Sequence, residues 1–223
     1  MNLTELHRRL LADVLAVGEA YPLAVTGGYA VQAHGLVDRL SQDLDVATEN
    51  PDRMEDIAAS IRTGLEGRGW SVRALEADPL SARLIVTDPR SGEECEVDIL
   101  KEAFWRPPVT TEFGLVLSLD DVVGTKVRAL ADRGLARDLI DVRAAADRWS
   151  RTELEALGQR HARDGFDLAE LQARLGGADW IDDSEFAAYG LDDDETDELR
   201  RWALSWADDI AVRLHDPEDL EVD

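Results

Sequence analysis

Two aspartates one residue apart are the residues of this chain most suited to chemistry. Asp43 and Asp45 lie in the segment Gln42-Asp43-Leu44-Asp45-Val46, and the pattern predicts a β-strand over residues 42–47. Because side chains alternate along a strand, both carboxylates would point to the same side. Their repulsion, about 4 kcal/mol at ~4 Å for an effective dielectric constant of about 20, does nothing for folding. A site for divalent cations, which prefer oxygen ligands, would use the pair.

Two adjacent glycines precede the aspartates. Gly27 and Gly28 follow a predicted strand over residues 23–26 and lead into a predicted helix over residues 29–34. Glycine allows a phosphate to approach the backbone closely, and the N-terminus of a helix attracts anions. The glycines and aspartates together therefore predict a site for a phosphate and a metal.

Two polar residues lie between the glycines and the aspartates, and each has two interpretations. Arg39 would contact a phosphate or form a salt bridge with Asp43. Ser41 would bind a phosphate or shape the turn.

A third carboxylate lies on a later strand, predicted over residues 94–100. Asp98 would join Asp43 and Asp45 if the two strands are neighbours, although Glu96 lies on the same face and competes for this role. Three carboxylates on two strands would hold two Mg²⁺ ions, which clamp the attacking and leaving oxygens of a phosphoryl or nucleotidyl transfer. The alternative for Asp98 is a solvent-facing acid on an edge strand.

Charged residues also recur on two predicted helices further along the chain. Lys126 is either functional or a solvated lysine on an amphipathic helix. In Arg137-Asp138-Leu139-Ile140-Asp141, the two aspartates are three residues apart and share a helix face. Asp138 would instead cap the helix, and Arg137 and Asp141 would instead form a surface ion pair worth about 0.3–0.5 kcal/mol.

The elements that must position these residues change in type near residue 118. Before it, apolar periodicity and turn residues predict helices over 3–19 and 51–67, with Asn50 as N-cap and Pro51 in the first turn, and further strands over 70–74, 82–87 and 113–117. After it, the pattern is helical over 119–133, 136–149, 151–163, 167–175, 183–189 and 194–214, with an acidic tail expected to fray. We expect two domains, residues 1–118 and 119–223.

Composition limits the classes of function. The 223 residues carry a net charge of −24, with 22 acidic and 7 basic residues in 151–223. This acidity argues against broad nucleic-acid binding, which depends on neutralising phosphates. A local excess of positive charge remains in residues 126–151, which hold Lys126, Arg128, Arg133, Arg137, Arg143, Arg148 and Arg151.

The chain carries no predicted export or membrane signal. No apolar run approaches the roughly 18 residues of a membrane span, and the N-terminus lacks the apolar region of a signal peptide. Cys95 is the single cysteine, so no internal disulfide forms. We expect a cytoplasmic protein that does not associate with membranes.

Taken together, these motifs resemble a known superfamily over about residues 20–150. Gly-Gly followed by Arg-x-Ser-x-Asp-Leu-Asp and a later strand aspartate resembles the DNA polymerase β-like nucleotidyltransferases. The lysine helix and the Arg-Asp-x-x-Asp block are similar to those of the AbiEii/AbiGii-type toxins. The resemblance implies an α+β fold: a nucleotidyltransferase-type mixed sheet flanked by helices, followed by a helical half that completes the active site.

The resemblance also implies roles for the matching residues. Gly27 and Gly28 would approach the nucleoside triphosphate (NTP), and Asp43 and Asp45 would ligate both metal ions. Asp98 would ligate the second ion and help to deprotonate the acceptor hydroxyl. Lys126 would contact the triphosphate. Asp141, favoured slightly over Asp138, would close the site from the helical half.

Three functions follow as hypotheses. The first is a toxin that transfers a nucleoside monophosphate from an NTP to the 3′ end of tRNA, with a cognate antitoxin as partner. The second is a nucleotidyltransferase of the aminoglycoside or lincosamide type, because cationic drugs suit an acidic protein. The third is a non-catalytic binding protein, against which the presence of Asp43, Asp45 and Asp98 argues.

Overall fold

The chain divides into two compact units. In the computed structural model, which describes residues 3–39, 41–163 and 165–215, these units are residues 1–122 and 123–223. The division falls inside one helix, α4 (Leu119–Asp132), four residues beyond the boundary expected from the sequence. The acidic tail after His215, expected to fray, lies outside the described residues.

Strands of the first unit form one mixed sheet. Seven of them lie within the described residues: β1 (Ala24–Val25), β2 (Leu44–Thr48), β3 (Ser71–Asp78), β4 (Ser81–Thr87), β5 (Glu94–Lys101), β6 (Val109–Thr111) and β7 (Gly114–Val116). Their order is β3-β4-β5-β2-β1-β7-β6. β2 runs parallel to β5 and β1 runs parallel to β7, whereas the other neighbours are antiparallel. The predicted α+β class is confirmed.

The helices of the first unit begin at residues that differ from the predictions. They are α1 (Glu5–Val17), α2 (Gly27–Ala33) and α3 (Met54–Gly67). The prediction that Asn50 caps α3 is wrong: the Asn50 side chain accepts the N–H of Asp52 at 2.9 Å, and Arg53 is the N-cap residue. Asparagine here makes a local turn, a use of its side chain that competes with helix capping.

Alternation along the central strands separates the core from the face that carries the carboxylates. On β5, Cys95, Val97 and Ile99 are buried, whereas Glu96 and Asp98 between them are half-buried. The buried set joins a single apolar core with α1, α2 and α3. Since the side-chain period of a strand is two, burying one face presents the acidic residues together on the other.

The second unit is helical within its described residues. It holds most of α4 together with α5 (Ala136–Ala145), α6 (Arg151–His161), α7 (Leu168–Gly176), α8 (Asp183–Ala187) and α9 (Asp193–His215). Ser150 begins α6 by accepting the N–H of Glu153, whose carboxylate accepts the N–H of Ser150 in return. Among the helices of the described residues, none is both long and apolar enough to cross a membrane.

Candidate active site

The sheet places two of the predicted carboxylates directly opposite each other. Asp45 of β2 and Asp98 of β5 are register partners in the parallel pair. Both are half-buried, and the neighbours of Asp45 along the strand, Leu44 and Val46, are buried in the core. Adjacent strands are separated by about 4.8 Å, so the two carboxylates project side by side from the same face. Asp43, also half-buried, comes just before β2 begins.

An arginine that the sequence analysis missed binds Asp98. Arg83 of β4 is the register partner of Asp98 on its other side, and its Nε and Nη2 atoms lie 2.8 Å from the two carboxylate oxygens. These hydrogen bonds raise the pKa of Arg83, so the guanidinium keeps its charge. Only the strand pairing could have revealed it, because 15 residues separate Arg83 from Asp98 in the chain.

The same arginine also contacts the acidic residue that competes with Asp98. Glu96 lies 3.0 Å from the Arg83 Nε atom, and its side chain is more exposed than that of Asp98, 27% against 16%. Glu96 pairs in register with Ile85 of β4. Since Asp98, not Glu96, is opposite Asp45, the strand register favours Asp98 as the partner of Asp45.

Gly27 adopts a left-handed backbone conformation and also lies very close to the Asp45 side chain. Its φ angle of 61° lies in the left-handed region that glycine adopts readily. The Thr26 N–H donates to the Asp45 carbonyl at 2.9 Å and holds the start of α2 against β2. A Cβ atom on Gly27 would collide with the Asp45 carboxylate. The glycine therefore leaves room for the Asp45 side chain beside the backbone.

Gly28 faces the two polar residues of the following loop. A Cβ atom at Gly28 would lie 2.6 Å from the Ser41 hydroxyl oxygen and 3.6 Å from Nη1 of Arg39. Arg39 is buried, with 8% of its surface exposed. Glycine backbone, a hydroxyl and a guanidinium thus surround one small space, a combination suited to phosphate oxygens.

The donor set suits a hard divalent cation. Asp43, Asp45 and Asp98 offer only carboxylate oxygens, the ligands that Mg²⁺ prefers. In the arrangement described, both oxygens of Asp98 are bound to Arg83. Among residues 3–39, 41–163 and 165–215, no three histidine, cysteine or acidic side chains are grouped as a metal site. Arg83 is thus a cation already bound to the carboxylate that a metal ion at Asp98 would ligate.

In the second unit, Lys126 and Asp141 form a buried ion pair. The Lys126 Nζ atom lies 2.8 Å from Asp141 Oδ2, and the side chains are 9% and 0% exposed. Lys126 is on α4 and Asp141 on α5. The interpretation of Lys126 as a solvated surface lysine is wrong, because its side chain is buried and its ammonium group is paired with Asp141.

Asp138 has a different set of partners. Its fully buried carboxylate accepts two hydrogen bonds from Arg133, at 2.8 and 2.9 Å, and one from the N–H of Leu135 at 3.3 Å. α5 begins at Ala136, so Asp138 stabilises the first turn of that helix. The pairing with Lys126 thus falls to Asp141, while Asp138 ties the loop before α5 to the helix.

Comparisons with known proteins identify the family to which the chain is similar. Residues 9–211 match the family described as "Nucleotidyl transferase AbiEii toxin, Type IV TA system", which confirms the resemblance drawn from the motifs. None of the curated proteins compared with the chain is significantly similar in sequence.

Two solved structures share the fold. JHP933 from Helicobacter pylori has a TM-score of 0.55 and 17% identity, covering 98% of this chain and 99% of that one. MenT4, a nucleotidyltransferase toxin from Mycobacterium tuberculosis, has a TM-score of 0.61 and 16% identity, covering 92% of this chain and 82% of that one. At these identities the likeness concerns the fold.

Proposed function

The chain belongs to the AbiEii family of nucleotidyltransferase toxins, and from this premise we propose that it transfers a nucleoside monophosphate from an NTP to an acceptor hydroxyl with Mg²⁺. The observation that carries the proposal is the register pairing of Asp45 with Asp98, beside Gly27. Enzymes of this class use a nucleoside triphosphate and a divalent metal. The choice of Mg²⁺, and of two ions, is part of the proposal.

The candidate residues of the first unit have the following roles in this reaction. Asp43 and Asp45 would hold both ions, and Asp98, released from Arg83, would ligate the second. Gly27 and Gly28 bring backbone close to the triphosphate. Arg39 and Ser41, which face Gly28, bind its oxygens.

The chemical step exchanges one phosphorus–oxygen bond for another. The acceptor oxygen attacks the α-phosphorus and loses its proton to Asp98, and the bond from the α-phosphorus to the β-bridging oxygen breaks. Pyrophosphate leaves with that electron pair. Divalent ions, when bound, neutralise the charge that develops on the phosphoryl oxygens.

Two residues of the helical unit complete the proposal. Lys126 supplies an ammonium group for the triphosphate, and Asp141 holds that ammonium in place through the 2.8 Å ion pair. A lysine is a compact point charge, and the buried pair prevents it from adopting other rotamers. Asp138 is assigned to the stability of α5.

For the acceptor, we propose the 3′ end of tRNA, as the toxin family suggests, with a cognate antitoxin as the protein partner. Transfer to a tRNA end that must carry an amino acid would stop translation and explain toxicity. The metal ions in the site would offset part of the net charge of −24 where the RNA end binds.

One observation favours a second candidate, a small cationic acceptor such as an aminoglycoside. Among the seven positive residues of the 126–151 segment, three form ion pairs that the structure describes: Lys126 binds Asp141, Arg133 binds Asp138, and Arg143 binds Asp147 and Glu198. These pairs neutralise part of the positive charge that the segment offers to RNA. A cationic drug suits such a surface better.

A labelling experiment separates the two acceptors. Purified protein is incubated with Mg²⁺ and each of the four α-labelled NTPs, with total tRNA in one series and an aminoglycoside in another. We expect label in tRNA from the wild type and none from Asp45→Asn. Label only in the drug would support the second candidate, and no label in either would contradict transfer to both.

Growth of a sensitive host tests toxicity. Expression of the wild type should arrest growth, whereas Asp45→Asn at equal protein level should not. Equal, unhindered growth with both would contradict the toxin assignment.

A further inference from the structure

We propose that Tyr29 and Gln32 are positioning residues that fix two residues of the phosphate-binding loop, Arg39 and Ser41, and thereby set the affinity for the nucleotide. Neither residue is assigned to the site by its motif. The inference rests on the proposed function, because it takes Arg39 and Ser41 as the groups that meet the triphosphate. Tyr29 and Gln32 hold the backbone of these two residues and so determine where their side chains lie.

Tyr29 holds the backbone of the loop through a partly buried hydrogen bond. Its ring is fully buried on α2, and its hydroxyl donates to the Ser41 carbonyl at 3.1 Å. Burial raises the pKa of Tyr29 to about 12, so the hydroxyl stays protonated and remains a donor. The bond connects the second residue after Gly27 to the loop that precedes Asp43.

His7 of α1 fixes the direction of that hydroxyl. The Nδ1 atom of His7 is hydrogen-bonded to the Tyr29 hydroxyl, and the two rings meet edge to face with centroids 5.6 Å apart. The single Tyr29 proton goes to the Ser41 carbonyl, so His7 must donate its Nδ1–H to the phenolic oxygen. Burial lowers the pKa of His7, which favours the neutral ring. The tyrosine is therefore held from both sides.

Gln32 holds the same loop at a second point. Its side-chain Nε2 donates to the Arg39 carbonyl, and the Gln32 side chain is buried, with 8% of the residue exposed. Tyr29 and Gln32 are three residues apart, so they share one face of α2. Two side chains of one helix face thus bind two carbonyls of one loop.

The side chains of the held residues are the ones that face Gly28. Ser41 Oγ and Arg39 Nη1 approach the same point beside the glycine backbone, whereas their carbonyls are bound to α2. A shift of the backbone at Ser41 would move the hydroxyl, and a shift at Arg39 would move the guanidinium. The affinity for a triphosphate depends on their placement, because hydrogen bonds weaken steeply with distance and angle.

The test is nucleotide binding by two variants that keep the shape of the side chain. Tyr29→Phe removes the hydroxyl and Gln32→Met removes the amide. Each should weaken Mg²⁺–NTP binding by about fivefold to tenfold, the usual effect of one lost hydrogen bond. Calorimetry measures the dissociation constant without acceptor, and kinetics should show a raised KM for NTP with kcat changed less than about twofold.

His34 provides a matched control. It follows α2 and also binds a backbone carbonyl, that of Leu117 at 2.7 Å, outside the loop. His34→Leu should leave NTP affinity unchanged. An equal loss of affinity in His34→Leu would assign the effect to general destabilisation and overturn the inference.

A double-mutant cycle with Ser41→Ala tests whether Tyr29 affects nucleotide binding through the Ser41 hydroxyl. If Tyr29 acts through the Ser41 hydroxyl, Tyr29→Phe should weaken binding less in the Ser41→Ala background than in the wild type. Additive effects would contradict positioning through Ser41. If Tyr29→Phe does not fold, a second cycle combines Gln32→Met with Arg39→Gln. If Gln32 acts through Arg39, Gln32→Met should weaken NTP binding less in the Arg39→Gln background than in the wild type. Additive losses of affinity would contradict positioning through Arg39.

The outcomes also separate this inference from the function on which it rests. A wild type that binds no NTP with Mg²⁺ overturns both. A wild type that binds and transfers, together with variants whose affinity and KM are unchanged, overturns the inference alone.

Discussion

Arg83 and Asp98 face each other across the β4–β5 pair and share two hydrogen bonds of 2.8 Å. On its other side, Asp98 is the register partner of Asp45. A guanidinium group therefore occupies the carboxylate to which the proposed function assigns a metal ion. Arg83 keeps a second acidic partner, Glu96, if Asp98 turns away from it. Two cations thus compete for one side chain.

The competition can be measured without catalysis. In Arg83→Gln, the guanidinium no longer binds Asp98, so Mn²⁺ should bind several-fold more tightly than to the wild type, as measured by calorimetry without nucleotide. Arg73→Gln, which removes an exposed arginine of the adjacent strand β3, should leave the affinity unchanged. Equal or weaker binding by Arg83→Gln would show that Arg83 does not compete with the ion.

The pair Lys126–Asp141 should affect stability and activity separately. Lys126→Met leaves the fully buried Asp141 without its ammonium partner, and we expect the free energy of unfolding to fall by about 3 kcal/mol. The double variant Lys126→Met/Asp141→Leu should regain most of that stability but no transferase activity. Urea unfolding and NTP turnover measure the two effects. Recovery of activity in the double variant would contradict the role of Lys126.

Asp138→Asn should lower stability but leave activity almost unchanged. It weakens the interaction with Arg133, whose side chain is 45% exposed, so we expect a smaller loss of stability, about 1–2 kcal/mol. Activity per folded molecule should stay near that of the wild type, because Asp138 is assigned to the start of α5. A loss of turnover at full folding would place Asp138 in the reaction instead.

Gly27 and Gly35 form a matched pair, because both have positive φ angles, 61° and 68°. A Cβ atom at Gly35 meets nothing within 4 Å, so Gly35→Ala should cost only the backbone strain, about 1 kcal/mol, and keep activity. Gly27→Ala adds the collision with Asp45 and should abolish transfer. Melting temperature and turnover check both variants. An active Gly27→Ala enzyme would contradict the close approach.

His7 should make stability depend on pH. Its pKa is lowered in the folded protein, chiefly by burial and against the charges of Asp43 and Glu93, so the unfolded chain binds more protons just below pH 6.5. The free energy of unfolding should therefore fall as the pH drops through and below 6.5. His7→Asn keeps a hydrogen-bond donor near the Nδ1 position. Its free energy of unfolding, measured with urea, should fall less between pH 7 and 5 than that of the wild type. If the free energy of unfolding fell equally with pH in the wild type and in His7→Asn, His7 would not be the group responsible.

At pH values below this range, other groups change the stability. The pKa of Asp88 is lowered, first by the N–H of Arg90 and then by Arg9, and that of Glu153 is lowered by Ser150. Their contributions are present above the usual carboxyl pKa and are lost only as the pH falls below about 4. The His7 effect can therefore be read separately.

Local patterns predicted the strands on which the proposed chemistry depends. Alternation around Asp45 and Asp98 identified β2 and β5, because burial of one face leaves a period of two in the sequence. β6 was missed, since three residues paired only with β7 carry too short a pattern. The start of α3 was misplaced because Asn50 and Pro51 have the same preference for turns as for helix starts.

Contacts between residues on different strands or helices could not be predicted from local sequence patterns. Arg83 gave no signal in the sequence, because its importance comes from lying opposite Asp98. Likewise, the sequence favoured Asp141 over Asp138 only slightly, because both share one helix face, and their contacts with Lys126 and Arg133 distinguish them.

The internal pairing of the 126–151 segment has a kinetic consequence. With Arg133 and Arg143 bound to acidic partners, a protein of net charge −24 repels an approaching polyanion over distances of a Debye length, about 10 Å at 0.1 M salt. Most proteins that act on nucleic acids associate more slowly as salt is added. This one should encounter an RNA acceptor faster at moderate ionic strength than in dilute buffer, and a cationic acceptor more slowly. The slope of the association rate against salt would then report the sign of the acceptor's charge.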